Sequence, residues 1–440
     1  MKTRIASIIV CSLPILLRAQ AITLDEVLNA TLEKNPAIQQ AKVNLEQAAG
    51  QRLVFRSIVW PSVTVDVPAG VQGGHRGGRN TTQPFGIIRG TITQPLFNMA
   101  IPPSLRRGNV ELLIAQQQLN VAVVEQLHTA RLEFYAALYG RDLLSLTVKQ
   151  QQRLDENVTS QQERYQAGLI DRSALTSATV EARELDSQVE SNRRDYADAR
   201  LRLAEAMALP SGSNPDLPEP EGELQFVPTF VDVDSETAAA LKRRTDLKLA
   251  RLMVQSANED ERIIEAGYYP KVSGSVSAFY IPVTGIHRQG STSRTQDFIS
   301  SEIQETAAYT WQVIDNGKVA GAAIKQRKAR EINEIACQKL EASIGRELLR
   351  LRNELESIDA RHKSLAAAAD AAEQDTVTVR QNLGGGLASE LEYRLAENSF
   401  SKTQGGLLAA KYQQRVALAE WDRATGRYFQ FSGDSGRKVH

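Results

Sequence analysis

The sequence predicts a membrane α+β fold dominated by long coiled-coil helices, and three observations predict it. Long Ala-, Leu-, Glu- and Arg-rich stretches keep a four-three apolar spacing. Short serine- and valine-rich segments alternate apolar with polar residues. Both kinds of segment occur twice, in the same order, so the chain is expected to be internally duplicated.

Composition narrows the class first. The 440 residues carry 52 Lys or Arg against 52 Asp or Glu, and only 6% are aromatic. A zero net charge excludes a general nucleic-acid binder, because no basic excess is left to neutralise phosphates. Residues 1–21, "MKTRIASIIVCSLPILLRAQA", predict a secretory signal: Lys2 and Arg4 precede an apolar run, and small residues end it at Ala21. Cys11 falls inside that run, and Val10 before it is not the small residue of a lipidation site. Cys337 is then the one cysteine of the mature chain, expected to pack as a small hydrophobe beside Leu340 and Ile344. No segment after the leader is apolar and long enough for a transmembrane helix, so membrane insertion would have to use strands.

The two halves overlay directly. "NPAIQQAKVNLEQAAGQRLVFRSIVWPSVTV" from Asn35 matches "RTDLKLARLMVQSANEDERIIEAGYYPKVSG" from Arg244, placing Trp60-Pro61 on Tyr269-Pro270. "PLFN" (Pro95 to Asn98) matches "QVID" (Gln312 to Asp315), and "AGLIDRSALTSA" from Ala167 matches "GGLASELEYRLA" from Gly385. The expected organisation is repeat 1 over 22–209, a proline-rich linker over 210–231, repeat 2 over 232–427 and a tail over 428–440.

Each repeat reads in one order. A helix comes first, expected over Leu24 to Phe55 and over Ser235 to Ala266. A strand pair follows, about 62–97 in repeat 1 and 271–314 in repeat 2. In "SVTVDV" Val63, Val65 and Val67 share a face, and in "TAAYTWQV" Ala307, Tyr309, Trp311 and Val313 do. "VSGSVSAFYI" sets Val272, Val276, Ala278 and Tyr280 against three serines, while Arg89 and Pro95 make "IIRGTITQPLF" the weakest strand. The intervening "GGHRGGRNTTQ" and "GIHRQGSTSRTQD" read as solvent-exposed loops.

Two helical arms close each repeat, about 103–209 and 318–426. Ala178, Ala182, Leu185, Val189, Tyr196, Ala199, Leu203 and Ala206 form a coiled-coil seam interrupted at Asn192; Ile344, Leu348, Leu351, Leu355 and Ile358 form another. From Pro103 to Gly168 a helix would run roughly 98 Å, so the arms must project. The glycine phrases "RYQAGLIDRSAL" and "RQNLGGGLASEL" fall where each pair of arms reverses.

Four strands cannot close a barrel, and open strand edges are not tolerated in lipid, so embedded strands demand several copies of the chain. Tyr280, Tyr309 and Trp311 on the apolar faces suit a membrane-interface girdle, although they would equally suit a soluble core.

A leader, a duplicated helix–strand pair–helical hairpin unit, "ITLDEVLNATLEKNPAIQQAK" near the start, "AGL…L…A" at the tips and "AEWDRATG" (Ala419 to Gly426) near the end resemble the TolC-like outer membrane efflux protein family. The resemblance implies a homotrimer, with four strands per chain in one twelve-stranded β-barrel continued by a periplasmic α-helical barrel. It implies an exit duct of a tripartite efflux pump or type I secretion system in the outer membrane of a Gram-negative-type cell. The partners would be a periplasmic adaptor, an inner-membrane transporter and outer membrane lipid, with no cofactor and no catalysis. Gly168, Leu169, Gly386 and Leu387 become adaptor-contact residues at the tips. Glu392, with Glu390 nearby, becomes a candidate for an axial gate, where symmetry-related carboxylates would raise one another's pKa. Asp171 and Arg172 are their first-repeat neighbours and candidates for intermolecular pairs.

Other patterns carry little. His75, His128, His287, His362 and His440 lack ligand spacing, and "GGHRGGR" lacks the ending of a phosphate loop. "KQRKAR" (Lys325 to Arg330) reads as a solvated helix start, with contact to anionic headgroups as the sharper alternative. The rival for the whole chain is a soluble periplasmic coiled-coil adaptor, which leaves the paired strands unexplained.

Overall fold

A computed structural model describes residues 21–76, 79–210, 217–280 and 301–428. The expected leader with Cys11, the centre of the linker, the loop holding His287, and His440 lie outside them. The chain forms two compact units, one made of residues up to 41, 120–244 and from 342, the other of 42–119 and 245–341.

The elements follow in chain order. A short strand β1 (Ala21–Ile22) leads into α1 (Leu24–Lys34) and α2 (Pro36–Ser57). Strands β2 (Ser62–Asp66), β3 (Ala69–Arg76), β4 (Arg79–Gly86) and β5 (Ile88–Phe97) precede the long α3 (Ile101–Gln166) and α4 (Arg172–Ala206). After β6 (Glu219–Pro220) come α5 (Val233–Arg243), α6 (Thr245–Glu265), a 3-10 turn (Ala266–Tyr268), β7 (Lys271–Tyr280), β8 (Ser301–Thr310), α7 (Lys318–Gly384) and α8 (Glu390–Ala424).

The opening helix of each half is two helices, not one. Asn35 and Arg244, which the sequence overlay sets on one another, both leave the helical region (ψ 126 in each). For Asn35 the cause is Pro36, whose ring disfavours a helical residue before it and suits the first turn after it. The breaks are used alike. The Asn35 amide donates to Ala206 O at 3.2 Å, and the Arg244 guanidinium donates to Ala424 O at 3.3 Å. Each side chain thereby ties an opening helix to the final carbonyls of its repeat's last helix. Arg244 also donates to Glu347 at 2.6 Å.

In the first unit the arms pack along the expected seams. Ala178, Ala182, Leu185, Val189, Ala199 and Leu203 are buried, as are Ile344, Leu348, Leu355 and Ile358. Asn192 does not interrupt the seam: it is buried in it and donates to the Thr147 hydroxyl at 3.2 Å. The linker is strapped down. Pro220 pairs with Ile22 in parallel, and the Gln414 amide both accepts from Val227 N and donates to Val227 O. The "AEWDRATG" segment closes α8 with Trp421, Ala424 and Thr425 buried; Asp422 accepts from Arg131 at 3.0 Å, and Glu420 lies 3.1 Å from buried His128. Burial holds the His128 pKa below its usual value, against the opposing pull of Glu420.

In the second unit β2, β5, β7 and β8 form one antiparallel sheet in the order β2-β5-β7-β8. Pro95 sits where the β5–β7 register slips, as expected of a residue without an N–H. "GGHRGGRNTTQ" is not simply a loop: residues 73–76 and 79–83 of it lie in β3 and β4, which form a two-stranded antiparallel sheet of their own. Backbone pairing needs no apolar alternation, which is why periodicity missed it. Strand β8 ends at Thr310, short of the expected Val313. Arg327 and Arg330 of "KQRKAR" pair with buried Glu261 at 3.0 and 2.9 Å, while Lys325 and Lys328 are exposed, as a solvated segment would have them. Cys337 is buried, and burial pushes its thiol up.

Candidate functional site

Both hairpin tips are built by one backbone device. Leu169 N donates to Arg164 O at 2.9 Å and Gly168 N to Tyr165 O at 3.0 Å; Leu387 N donates to Asn382 O at 2.8 Å and Gly386 N to Leu383 O at 3.1 Å. This paired pattern ends a helix with one residue in the left-handed region. Gly168 and Gly386 are those residues, with φ of +74° and +72°. A Cβ at either would meet nothing within 4 Å, so the requirement for glycine is conformational alone.

The residue after each glycine points outward. Leu169 is 75% exposed and Leu387 83% exposed, with no cover from the arms. An open groove of 430 Å³ beside the second tip is lined by Asp375, Asn382, Leu387, Glu392 and Leu395, among others.

The acidic candidates divide by role. Asp171 caps α4, accepting from Ala174 N at 2.9 Å. Glu392 belongs to a capping box at the start of α8: its carboxylate accepts from Ser389 N at 2.6 Å and from the Ser389 hydroxyl at 2.9 Å, while Glu392 N donates to Ser389 Oγ at 3.2 Å. The backbone hydrogen bond from Ser389 holds the Glu392 carboxyl below the usual carboxylate range. In the single chain the shift therefore runs opposite to the rise expected of an axial ring. Glu390 lies 3.4 Å from Arg164, and Glu181 3.4 Å from Arg394, so one exposed and one half-buried pair link the two hairpins near their tips. Such pairs contribute about 0–1 kcal/mol each. Arg172 opens α4. Sequence reasoning missed Ser389 and Arg164, although "SELE" carries the Ser-x-x-Glu signature of a capping box.

The capping box gives a pH dependence with a definite sign. The folded pKa of Glu392 lies below the unfolded value of about 4.3, so its contribution is present above that value and lost as pH falls through the folded one. Protection of the amides in the first turn of α8, taken as observed exchange against the intrinsic rate at the same pH, should fall on acidification from pH 6 toward pH 3. Glu392→Gln should lack that step, and an equal step in the variant would remove the carboxylate as its cause.

A second candidate surface is the four-stranded sheet. On one face apolar residues meet across the strands, Val63 opposite Ile92, Ile92 opposite Val276, Ile88 opposite Tyr280 and Val272 opposite Tyr309, with Glu305 opposite Val276 as a charged exception. The other face pairs Thr64 with Thr91, Thr91 with Ser277, and Ser277 with Gln304. Val63, Val65, Ile303 and Tyr309 are exposed, whereas the Thr91 and Ser277 hydroxyls meet at 3.2 Å in a partly buried position. In the central strands Ile92, Val276 and Tyr280 are exposed while Thr91 and Ser277 are half-buried, so the apolar face is the more exposed one there, the reverse of a sheet packed on a core. Tyr280 and Tyr309 lie on it; Trp311 stands just past β8 and donates to Tyr268 O at 3.2 Å. Among the described residues no cluster of metal-ligating side chains occurs, and no helix is long and apolar enough to cross a membrane.

Residues 27–209 match the sequence profile described as outer membrane efflux protein. No curated protein matches the chain. Among solved structures, the chain is similar to the outer membrane protein VceC from Vibrio cholerae (TM-score 0.76, 16% identity, 92% of this chain and 96% of that one). It is also similar to the Campylobacter jejuni CmeC outer membrane channel (TM-score 0.80, 13% identity, 93% and 87%) and to the open state of the Neisseria gonorrhoeae MtrE outer membrane channel (0.74, 16%, 92% and 88%). At such identities the structural likeness establishes the fold. By sequence over residues 27–209 the chain is similar to the outer membrane efflux protein family, and over nearly its whole length it shares the fold of these outer membrane channels.

Proposed function

We propose that this chain is the outer membrane exit duct of a tripartite export system, carrying substrate passively from the periplasm to the exterior. The observation that carries the reading is the four-stranded sheet, whose apolar face is the more exposed one in its central strands and whose two edges are unpaired among the described residues. In lipid those edges must be paired, and pairing them with other copies of the chain closes a barrel. Three copies, each giving four strands, would make the twelve-stranded barrel that the family resemblance implies. The organisation into repeats 22–209 and 232–427 about the linker 210–231 fits an internally duplicated protomer. A soluble coiled-coil adaptor leaves the exposed apolar face unexplained, and none of the similar channels named above is one.

In this reading the protein does no chemistry. An inner-membrane transporter supplies the energy, and a periplasmic adaptor meets the exposed Leu169 and Leu387 beside Gly168 and Gly386. Glu392 and Glu390 are the gate candidates, with Asp171 and Arg172 beside the first tip. Fractionation tests the core of the proposal: a heat-modifiable trimer in outer membranes supports it, and a freely soluble monomer ends it. Purified trimer should conduct ions across planar bilayers, and Glu392→Ala should change its conductance or cation selectivity. Unchanged values would take Glu392 out of the gate and leave it a capping residue only.

A further inference from the structure

The polar face of the four-stranded sheet is not uniform along its length. Its rows follow from the cross-strand pairs, because residues two apart on a strand share a face. Asp66 lies opposite Arg89, Arg89 opposite Phe279, and Phe279 opposite Glu302, so each strand gives one residue to a continuous row. Two residues further along each strand is the row that holds Thr91 and Ser277. The other paired positions of this face are Ser, Thr, Ala and Pro, apart from Gln304 and Lys271.

Two members of the row stand out within their own strands. Arg89 is the residue that weakens β5 in the sequence, and Phe279 sets a ring among the serines of β7. Phe279 is half-buried, whereas Ala278 and Tyr280, on the apolar face, are exposed. The row also has a definite place. Lys271 and Thr310 pair at the end where the chain arrives from α6 and leaves for α7, and Tyr280 and Ser301 pair at the far end. Phe279 and Glu302 come next to that far pair.

Resting on the barrel reading above, we propose that Asp66, Arg89, Phe279 and Glu302 of each copy form a constriction at the outer end of the lumen, selecting exported solutes by size and charge. Twelve strands about 4.8 Å apart and tilted about 40° enclose a backbone radius of roughly 12 Å. Serine and threonine leave most of that space open. Arg89, Phe279 and Glu302 send long side chains into it from three strands in every four.

The charges of the row do not cancel. Asp66 faces Arg89 directly, while Phe279 stands between Arg89 and Glu302. Two strand spacings, about 10 Å, separate Arg89 from Glu302, more than a Debye length at physiological salt. Each copy thus leaves Glu302 as the carboxylate that Arg89 does not offset. The constriction should pass cations ahead of anions of the same size, whatever the gate candidates Glu390 and Glu392 do.

A thiol just inside the row tests this. In a Cys337→Ala background, Ser277→Cys places it two residues from Phe279, on the same strand and face. Purified trimer is added to one chamber of a planar bilayer. Helices α3 and α7, of 66 and 67 residues, cannot cross the lipid and stay in that chamber, so the other chamber opens on the outer end. Two methanethiosulfonates of similar size are added there, the cationic trimethylammonium-ethyl and the anionic sulfonato-ethyl reagent, and modification is read as stepwise loss of current. Relative to their rates with free 2-mercaptoethanol, the cationic reagent should react at least about threefold faster than the anionic one. Glu302→Gln, which keeps the size, should remove that preference, and Phe279→Ser should speed both reagents. The heat-modifiable trimer band is scored first, and Phe279→Thr replaces the serine variant if that one fails to assemble. A preference that survives Glu302→Gln overturns the charge selection, and rates unchanged by loss of the phenyl ring overturn the narrowing; either result leaves the duct standing. A wild-type chain that forms no conducting trimer removes both.

Discussion

Replacing Leu169 and Leu387 together by aspartate is expected to abolish export while leaving the assembled protein intact. Both leucines are largely solvent-exposed at the hairpin tips, and the turns beneath them are held by backbone hydrogen bonds and by Gly168 and Gly386. Surface substitutions away from packed features shift stability by about 0.5 kcal/mol or less, so the trimer should form at its normal level. Docking is another matter. Losing two apolar anchors and burying two carboxylates against a partner should cost well over ~1.4 kcal/mol, which is tenfold in affinity. Transport measured in cells carrying the cognate adaptor and transporter should fall at least about tenfold. Undiminished transport would mean the tips are turns and nothing more. Gly168→Ala with Gly386→Ala is the useful contrast, because it strains the turns without changing the apolar surface.

The largest effect on stability is expected at Gly426, the last residue of "AEWDRATG". Its φ is +68°, and Arg427 N donates back to Asp422 O at 2.9 Å, so α8 ends by the same device as the tips. Here, however, space is also short. A Cβ would lie 3.1 Å from Arg244 N and 3.2 Å from Arg243 Cβ, where the opening helices of the second repeat break. Left-handed backbone costs an L-residue about 1–2 kcal/mol, and overpacking adds about 1–3. Gly426→Ala should therefore destabilise by about 3 kcal/mol, read as a lowered thermal midpoint of the trimer. The first repeat supplies the opposite experiment. Ala208 sits at the matching end of α4 with φ +52°, and Ala208 N donates to Glu205 O. Ala208→Gly should stabilise by about 1 kcal/mol, since the strain it relieves exceeds the entropy it adds. Equal and small effects at both sites would mean the repeats' closing ends tolerate any residue.

The sequence made the arms and tips legible because their signals are local. An apolar residue every three or four positions marks a packed helix face, and a glycine inside such a run marks the reversal. The strand faces were legible for the same reason, since valine and serine alternate within a few residues. What escaped was set by contacts far along the chain. Arg244 reads as one more charged residue in a helix, yet it is buried against Glu347 and Ala424, over 100 residues away. The motif "AEWDRATG" was visible as a motif, but its partners His128 and Arg131 lie 292 and 291 residues from Glu420 and Asp422. The β3–β4 hairpin escaped because glycine, arginine and threonine there pair through the backbone. At the second tip Glu392 and Glu390 stood out as gate candidates, while the capping box that Ser389, three residues before Glu392, forms with it went unread.

The separateness of the β3–β4 hairpin has a consequence for how this surface can change. A residue inserted in β2 or β5 would turn half a strand inside out and break the ladder to β7. Beyond Pro68 and Ile87 that ladder does not continue among the described residues, where β3 and β4 form a two-stranded sheet of their own. Chain length can vary there, in epitope-sized steps, without the rest of the sheet registering it. That segment is where divergence among close relatives should concentrate, and where a foreign peptide can be displayed on the folded protein at least cost.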